Sequence, residues 1–217
     1  MHKVSYPVRQ HKFHYNTVLY PFRECVEEAL NVKYLSKLDA LDLFTLDTEQ
    51  RSPYHKKWYQ YVADDGYNSF LMMYRNFIVN HVVKYFDEPI IYQTKPTFRV
   101  CLNGNKAVTN WHKDSQYNHH IGEINFFLPV TTAIGNNSIW IESEEDKGDY
   151  APIYCEYGDC VIFPGATHTH GNKLNDTGKT RVSFDFRILP KRLYTHNDRT
   201  TKVQSKRMII GDYWAEI

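Results

Sequence analysis

Three side chains carry the chemistry for which this sequence can be read: His112, Asp114 and His170. In Asn110-Trp111-His112-Lys113-Asp114, residues two apart on an extended strand project to the same face, so His112 and Asp114 can grip one ion while Lys113 points away. A third ligand has to come from elsewhere. The run Phe163-Pro164-Gly165-Ala166-Thr167-His168-Thr169-His170-Gly171 offers it on a second short strand, where His168 and His170 would face the same way. Two imidazoles and one carboxylate occupy one face of an octahedron and leave the opposite face open, the ligand set that suits a non-haem Fe(II) ion with room for reactants. Arg181-Val182-Ser183 begins eleven residues after His170. A planar guanidinium matches a carboxylate with two parallel hydrogen bonds and the Ser183 hydroxyl can add a third, so this pair reads as a receptor for a dicarboxylate.

From about Arg99 to Arg187 the order His-x-Asp, distal His, Arg-x-Ser resembles the Fe(II)/2-oxoglutarate-dependent dioxygenases. His170-Gly171-Asn172-Lys173-Leu174-Asn175 resembles the His-Gly…Asn signature of the phytanoyl-CoA hydroxylase-like branch. Asn110-Trp111-His112, Glu123-Ile124-Asn125-Phe126-Phe127-Leu128-Pro129 and Arg181-Val182-Ser183-Phe184-Asp185-Phe186-Arg187 are most similar to oxygenases of aminoglycoside-antibiotic pathways. The resemblance implies Fe(II) held by His112, Asp114 and His170, with O2 and 2-oxoglutarate as cosubstrates. It implies that Arg181 and Ser183 hold the far carboxylate of 2-oxoglutarate, and that Asn125, on a strand lining the cosubstrate pocket, contacts it too. The implied reaction oxidises a small polar metabolite such as a sugar or aminocyclitol derivative, with hydroxylation the default outcome and succinate and CO2 released. Related halogenases carry a small residue at the carboxylate position, so Asp114 argues against halogenation.

The neighbouring residues have plainer readings. His170 is preferred to His168 as the third ligand because Gly171 and Asn175 follow it as in the family; His168 is left as a substrate-facing or structural group. Arg99 alternates with apolar neighbours and is expected to face either substrate or Asp185, while Asp185 and Arg187 are read as a structural ion pair, because an unpaired interior charge is costly. His119 and His120 are expected in an exposed loop, Trp111 in outward packing, and Glu142–Asp146 in a solvated loop bordering the site.

The elements that must position these residues divide the chain. Residues 1–88 read as a helical support: Val26, Ala29, Leu30, Val32 and Leu35 mark an amphipathic helix within Phe22–Leu38, and Phe70, Leu71, Tyr74, Phe77, Ile78, Val82 and Tyr85 mark a stronger one after Ser69. Between them, Ser52-Pro53 opens a short helix through His55, Trp58 and Tyr61. From 89 to 189 short strands alternate with turn residues: Thr97–Leu102, Val108–Asp114, Glu123–Val130, Ser138–Glu142, Ala151–Tyr154, Cys160–Phe163, Thr167–Gly171 and Thr180–Leu189. Residues 190–217 form a basic tail whose Met208-Ile209-Ile210 and Tyr213-Trp214 call for packing over the barrel mouth, on the helical support or against another subunit. The expected fold is mainly β with helical support (α+β), its core the double-stranded β-helix (jelly roll or cupin) implied by the resemblance, in one domain over 1–217.

Twenty-six Lys and Arg stand against 25 Asp and Glu, so no global field recruits nucleic acid or an acidic membrane, and a small-molecule substrate is the expected partner. A homodimer is compatible with the sequence. Four cysteines without Cys-x-x-Cys spacing read as free thiols of a reducing, cytoplasmic environment, and no run of about eighteen apolar residues marks a membrane span. Three rival readings use the same fold: a cupin-type isomerase or other metal-binding protein, which has no need of Arg181-x-Ser183; a binding module, which would have lost a ligand; and a nucleic-acid- or protein-modifying oxygenase, against which the neutral charge weighs.

Overall fold

The computed structural model of the chain describes residues 10–38, 52–64, 69–106, 110–196, 198–201 and 206–217. Two antiparallel sheets face each other. The larger has strand order β1 (His11–His14), β7 (Asp159–Phe163), β4 (Ile124–Pro129), β9 (Arg181–Pro190), β2 (Ile90–Gln93) and β10 (Trp214–Glu216), with β3 (Thr97–Cys101) also paired to β9. The smaller runs β6 (Ala151–Pro152), β5 (Trp140–Ile141), β8 (His170–Gly171). This is the expected jelly-roll architecture, and side chains such as Phe127, Val161 and Phe163 from one sheet meet Ile141 and Ile153 from the other.

β9 organises the molecule because it is long enough to serve three partners. Its first half pairs with β3, from Cys101 opposite Arg181 to Thr97 opposite Asp185, and its last residues pair with β2, while β4 lies along its other edge from Ser183 to Ile188. Strand alternation then sorts its side chains. Val182, Phe184, Phe186 and Ile188 join the main apolar core, and Arg181, Ser183, Asp185 and Arg187, equally buried, belong to the other face between the sheets.

Three helices cover the apolar face: α1 (Phe22–Leu30), α2 (Pro53–Asp64) and α3 (Ser69–Phe77). Their contact is aromatic, with Trp58 against Phe98 and Phe184 at 5.1 and 5.2 Å, and Tyr74 against Phe186 at 5.3 Å. Rings of this size buried on a sheet each contribute on the order of 1.5–3 kcal/mol. α1 stops earlier than its apolar pattern, at Asn31 in the left-handed region (φ 55°), where the Asn31 and Val32 N–H groups close the last turn. The stripe beyond Phe77 continues as a wider turn, Ile78–Val82, and a tight one, Val83–Tyr85, so the apolar face persists while the helix type changes.

Several expectations are corrected. The N-terminal region, read as a helical support with irregular connections, also supplies β1. Val108–Asp114 is not a strand over its described part, 110–114: His112 makes one antiparallel bridge with His170 and Asp114 opens a tight turn to Tyr117. Thr167–Gly171 is strand only at His170–Gly171, because the Thr167 and His168 N–H groups both turn back onto the Pro164 carbonyl. The described part of the tail packs at the edge of the larger sheet. Met208, Tyr213 and Trp214 pack on Ile91 and Leu189, and β10 extends the sheet edge. None of the four cysteines is in a disulfide. No helix among the described residues is long and apolar enough to cross a membrane.

Candidate metal centre and dicarboxylate pocket

His112, Asp114 and His170 converge between the sheets, all buried, with one ligand atom from each within 4.8 Å of the others. The backbone brings them together: His112 N–H donates to the His170 carbonyl at 3.0 Å and His170 N–H returns to the His112 carbonyl at 2.9 Å. Lys113 between them is extended (φ −99°, ψ 139°) and sends its ammonium out to Glu145 and Asp146, so the two-residue spacing works although no regular strand is present.

Each imidazole is oriented the same way. Nδ1 of His112 lies 2.7 Å from the Asn110 carbonyl and Nδ1 of His170 lies 3.0 Å from the His168 carbonyl. A carbonyl can only accept, so both Nδ1 atoms carry the proton and both Nε2 atoms are left as lone-pair donors. These Nε2 atoms sit 3.3 and 3.7 Å from Asp114 Oδ1. Burial holds His170 below the usual histidine range, which keeps it neutral, as a ligand must be.

Asp114 divides its two oxygens between two tasks. Oδ2 accepts from Arg187 Nη2 at 2.8 Å, Arg187 Nε at 3.0 Å and Asn125 Nδ2 at 2.7 Å. Oδ1 faces the imidazoles. Burial opposes ionisation, but the Arg187 charge outweighs it and holds Asp114 well below the usual carboxylate range. An anionic oxygen and two imidazole nitrogens, each imidazole backed by a hydrogen bond on its far side, fit a divalent ion that takes two histidines and one carboxylate.

The same pocket is lined by Arg181, on the neighbouring stretch of β9. Arg181 is 2% exposed; its Nε donates to the Asn137 carbonyl and its Nη1 to Ser183 Oγ, at 2.6 and 2.8 Å. These neutral acceptors fix the plane of the guanidinium without neutralising it. Among the described residues no carboxylate lies within ion-pair distance of it, in contrast to Arg99, which pairs with Asp185 at 2.9 Å, and to Arg187 on Asp114. A buried cation without a protein counter-charge is costly until an anion joins it.

The other candidates divide. Asn125 lines the pocket as expected, but its amide is already engaged with Asp114, and its Oδ1 is buried without a partner. Arg99 pairs with Asp185 and also lines the pocket, so it meets the one expectation without leaving the other. Asp185 and Arg187, read as a pair with each other, are corrected: each has a different principal partner. His168 is turned away from the metal residues into a separate groove shared with Glu142 and Glu145, and contributes its carbonyl, not its ring, to His170. His119, expected to be exposed, is largely buried and bonds Glu123 at 2.7 Å beside Tyr213. Two signature residues are explained by space: a Cβ on Gly171 would come within 3.0 Å of the Trp111 ring, and Asn175 ties the Cys101 and Lys179 carbonyls together at 3.0 and 2.8 Å.

No model of a known protein family matches the chain. A curated relative does: the streptomycin biosynthesis protein StrG of Streptomyces griseus is 35% identical over 204 residues, covering 94% of this chain and 96% of the relative. The chain belongs to the StrG family. Among solved structures, iron-bound EctD from S. alaskensis superposes with a TM-score of 0.55 at 12% identity, over 85% of this chain and 73% of that one. CytC3 with Fe(II) and alpha-ketoglutarate gives 0.48 at 15% identity, over 85% and 74%. The EctD likeness establishes a shared fold, the double-stranded β-helix expected from the resemblance to non-haem iron oxygenases. The residues that sequence reasoning undervalued in this StrG-family chain are Arg187 and Tyr213. Their only signal was position: an arginine on the polar face of β9, and an aromatic pair near the end of the tail.

Proposed function

We propose that the protein is a non-haem Fe(II)- and 2-oxoglutarate-dependent oxygenase acting on a small polar metabolite, a sugar or aminocyclitol derivative. The observation that carries this reading is the pairing, in one buried pocket, of a two-histidine, one-carboxylate cluster with an arginine that lacks a protein counter-ion. The likeness to StrG, a protein of streptomycin biosynthesis, supports the substrate class.

Charge around the pocket supports the cosubstrate. Asp114 and Asp185 face Arg99, Arg181 and Arg187 around the pocket, and Arg181 is the cation left over once Arg99 pairs with Asp185 and Arg187 with Asp114. A divalent cation entering this buried space is best accompanied by a dianion, and 2-oxoglutarate is one that also chelates. When bound, Fe(II) with 2-oxoglutarate supplies the O2-dependent oxidation of a substrate C–H bond.

The chain's own residues supply position and polarity. His112, His170 and Oδ1 of Asp114 hold the ion from one side and leave the other side to reactants. Arg181 receives the far carboxylate on a guanidinium already fixed by Asn137 and Ser183, with the Ser183 hydroxyl beside it as a further polar contact. Phe127, whose ring lies 5.6 Å from the Arg181 guanidinium, and Phe163 make the surroundings apolar, which strengthens that ion pair and keeps water from the reacting groups. The test is incubation with Fe(II), 2-oxoglutarate and O2: succinate should appear in an iron-dependent manner and increase when the correct aminocyclitol or sugar is added. No succinate from iron-loaded, folded protein across such a substrate panel would refute the reading.

A further inference from the structure

We propose that Arg187 is a positioning residue that restricts Asp114 to one metal-binding oxygen, and that Tyr213, from the C-terminal segment, braces it. The inference rests on the metal centre proposed above and concerns how many coordination positions stay open. A carboxylate can grip an ion through one oxygen or both. Here Oδ2 already accepts three hydrogen bonds, two from Arg187 at 2.8 and 3.0 Å and one from Asn125 at 2.7 Å, all in a buried environment. Bidentate binding would require those charge-assisted bonds to break with no solvent to replace them.

The consequence is positional. An octahedral ion would offer about six sites; His112, His170 and Oδ1 would take three and a chelating keto acid two, which would leave about one open. A bidentate Asp114 would occupy that last site. Arg187 therefore keeps the centre open, and it also draws electron density from the carboxylate, which lowers its attraction for the ion.

Arg187 is itself held in place. Its Nη1 donates to the Tyr213 hydroxyl at 3.4 Å, that hydroxyl donates to Gln93 Oε1 at 3.0 Å, and Glu123 lies 3.8 Å from Nε. Tyr213 is 2% exposed and packs with Trp214 at 4.8 Å, on the segment that adds β10 to the sheet. The C-terminal segment is thus the outer layer of the metal site as well as an edge of the sheet.

The sign of the effect separates this role from a merely structural one. Loss of an outer partner that only orients a ligand weakens metal binding, by about 10- to 100-fold in other metal sites. Loss of a guanidinium that repels the cation and withholds one oxygen should do the opposite. In Arg187→Gln, Mn(II) should bind about tenfold or more tightly than in the parent protein. Water-proton relaxation should show its exchangeable waters falling from about three to about two. 2-Oxoglutarate should bind the Mn(II)-loaded variant more weakly. Arg187→Lys, which keeps the charge, should stay close to the parent in Mn(II) affinity, and Tyr213→Phe should shift in the direction of Arg187→Gln by a smaller factor. Should Arg187→Gln not fold, as judged by circular dichroism, Tyr213→Phe carries the test: an unchanged water count and unchanged 2-oxoglutarate affinity in it would overturn the proposal. Weaker Mn(II) binding by folded Arg187→Gln, or an unchanged water count in it, would overturn it too while leaving the metal centre intact. A parent protein that binds no Mn(II) at all would remove the metal centre, and this proposal with it.

Discussion

Replacing Arg181 with Gln is the perturbation that most directly probes the cosubstrate pocket. The side chain is 2% exposed and its partner Ser183 is fully buried, so the ion pair it offers an incoming carboxylate escapes solvent screening. Truncating one partner of such a buried, hydrogen-bonded charge pair costs about 2–5 kcal/mol. At about 1.4 kcal/mol per tenfold, this corresponds to a loss of roughly thirtyfold to several thousandfold in 2-oxoglutarate affinity. Ser183→Ala removes one neutral hydrogen bond, about 0.5–1.5 kcal/mol, so its loss should be roughly two- to tenfold. Since Arg181 and Ser183 bond each other and the Asn137 carbonyl rather than Asp114 or the two histidines, Mn(II) affinity without cosubstrate should not fall. The assay is calorimetric titration of 2-oxoglutarate into Mn(II)-loaded protein, with a thermal melt of each variant to confirm folding. A folded Arg181→Gln protein with the parent's 2-oxoglutarate dissociation constant would refute the assignment of the dicarboxylate to this face of β9.

Other perturbations have equally definite outcomes. His170→Ala should abolish Mn(II) binding, whereas His168→Ala should leave it nearly unchanged, because residue 168 supports His170 through a backbone carbonyl that the substitution retains; the reverse pattern in a titration would show the wrong histidine was chosen. Burial lowers the folded-state pKa of His170, so its contribution to metal-free stability is complete above the unfolded value of about 6.5 and is lost as pH falls below it. Urea unfolding at several pH values should show that decline in the parent and a shallower one in His170→Gln; parallel curves would contradict the assignment. Gly171→Ala places a Cβ 3.0 Å from the Trp111 ring next to His112, so both melting temperature and Mn(II) affinity should drop, and a variant matching the parent in both would show that the close approach relaxes freely.

The architecture was legible because periodicity survives in sequence. Alternation in Arg181-Val182-Ser183-Phe184-Asp185-Phe186-Arg187 separates the two faces of β9 before any coordinates exist, and the structure places the apolar set against the helices. The two-residue spacing of His112 and Asp114 was legible for a related reason, although its basis is one extended residue and a single bridge rather than a strand. Pairing was not legible. Whether Arg99 or Arg187 meets Asp185 depends on sheet register, and whether Asp114 is free or clamped depends on residues 11 and 73 positions away that meet it only after folding. The tail posed the same difficulty: apolar content showed that Tyr213-Trp214 must be buried, but not that the covering surface is Ile91 and Leu189.

The central claim is that one buried face of this StrG-family chain binds Fe(II) and 2-oxoglutarate together. Anaerobic titration of Fe(II) and then 2-oxoglutarate into the purified protein, followed by visible absorption, tests it directly. A charge-transfer band that saturates at one iron and one 2-oxoglutarate per chain, and is lost in His170→Ala and weakened in Arg181→Gln, is the predicted result. No band from folded, iron-loaded protein, or a band indifferent to both substitutions, would contradict the account.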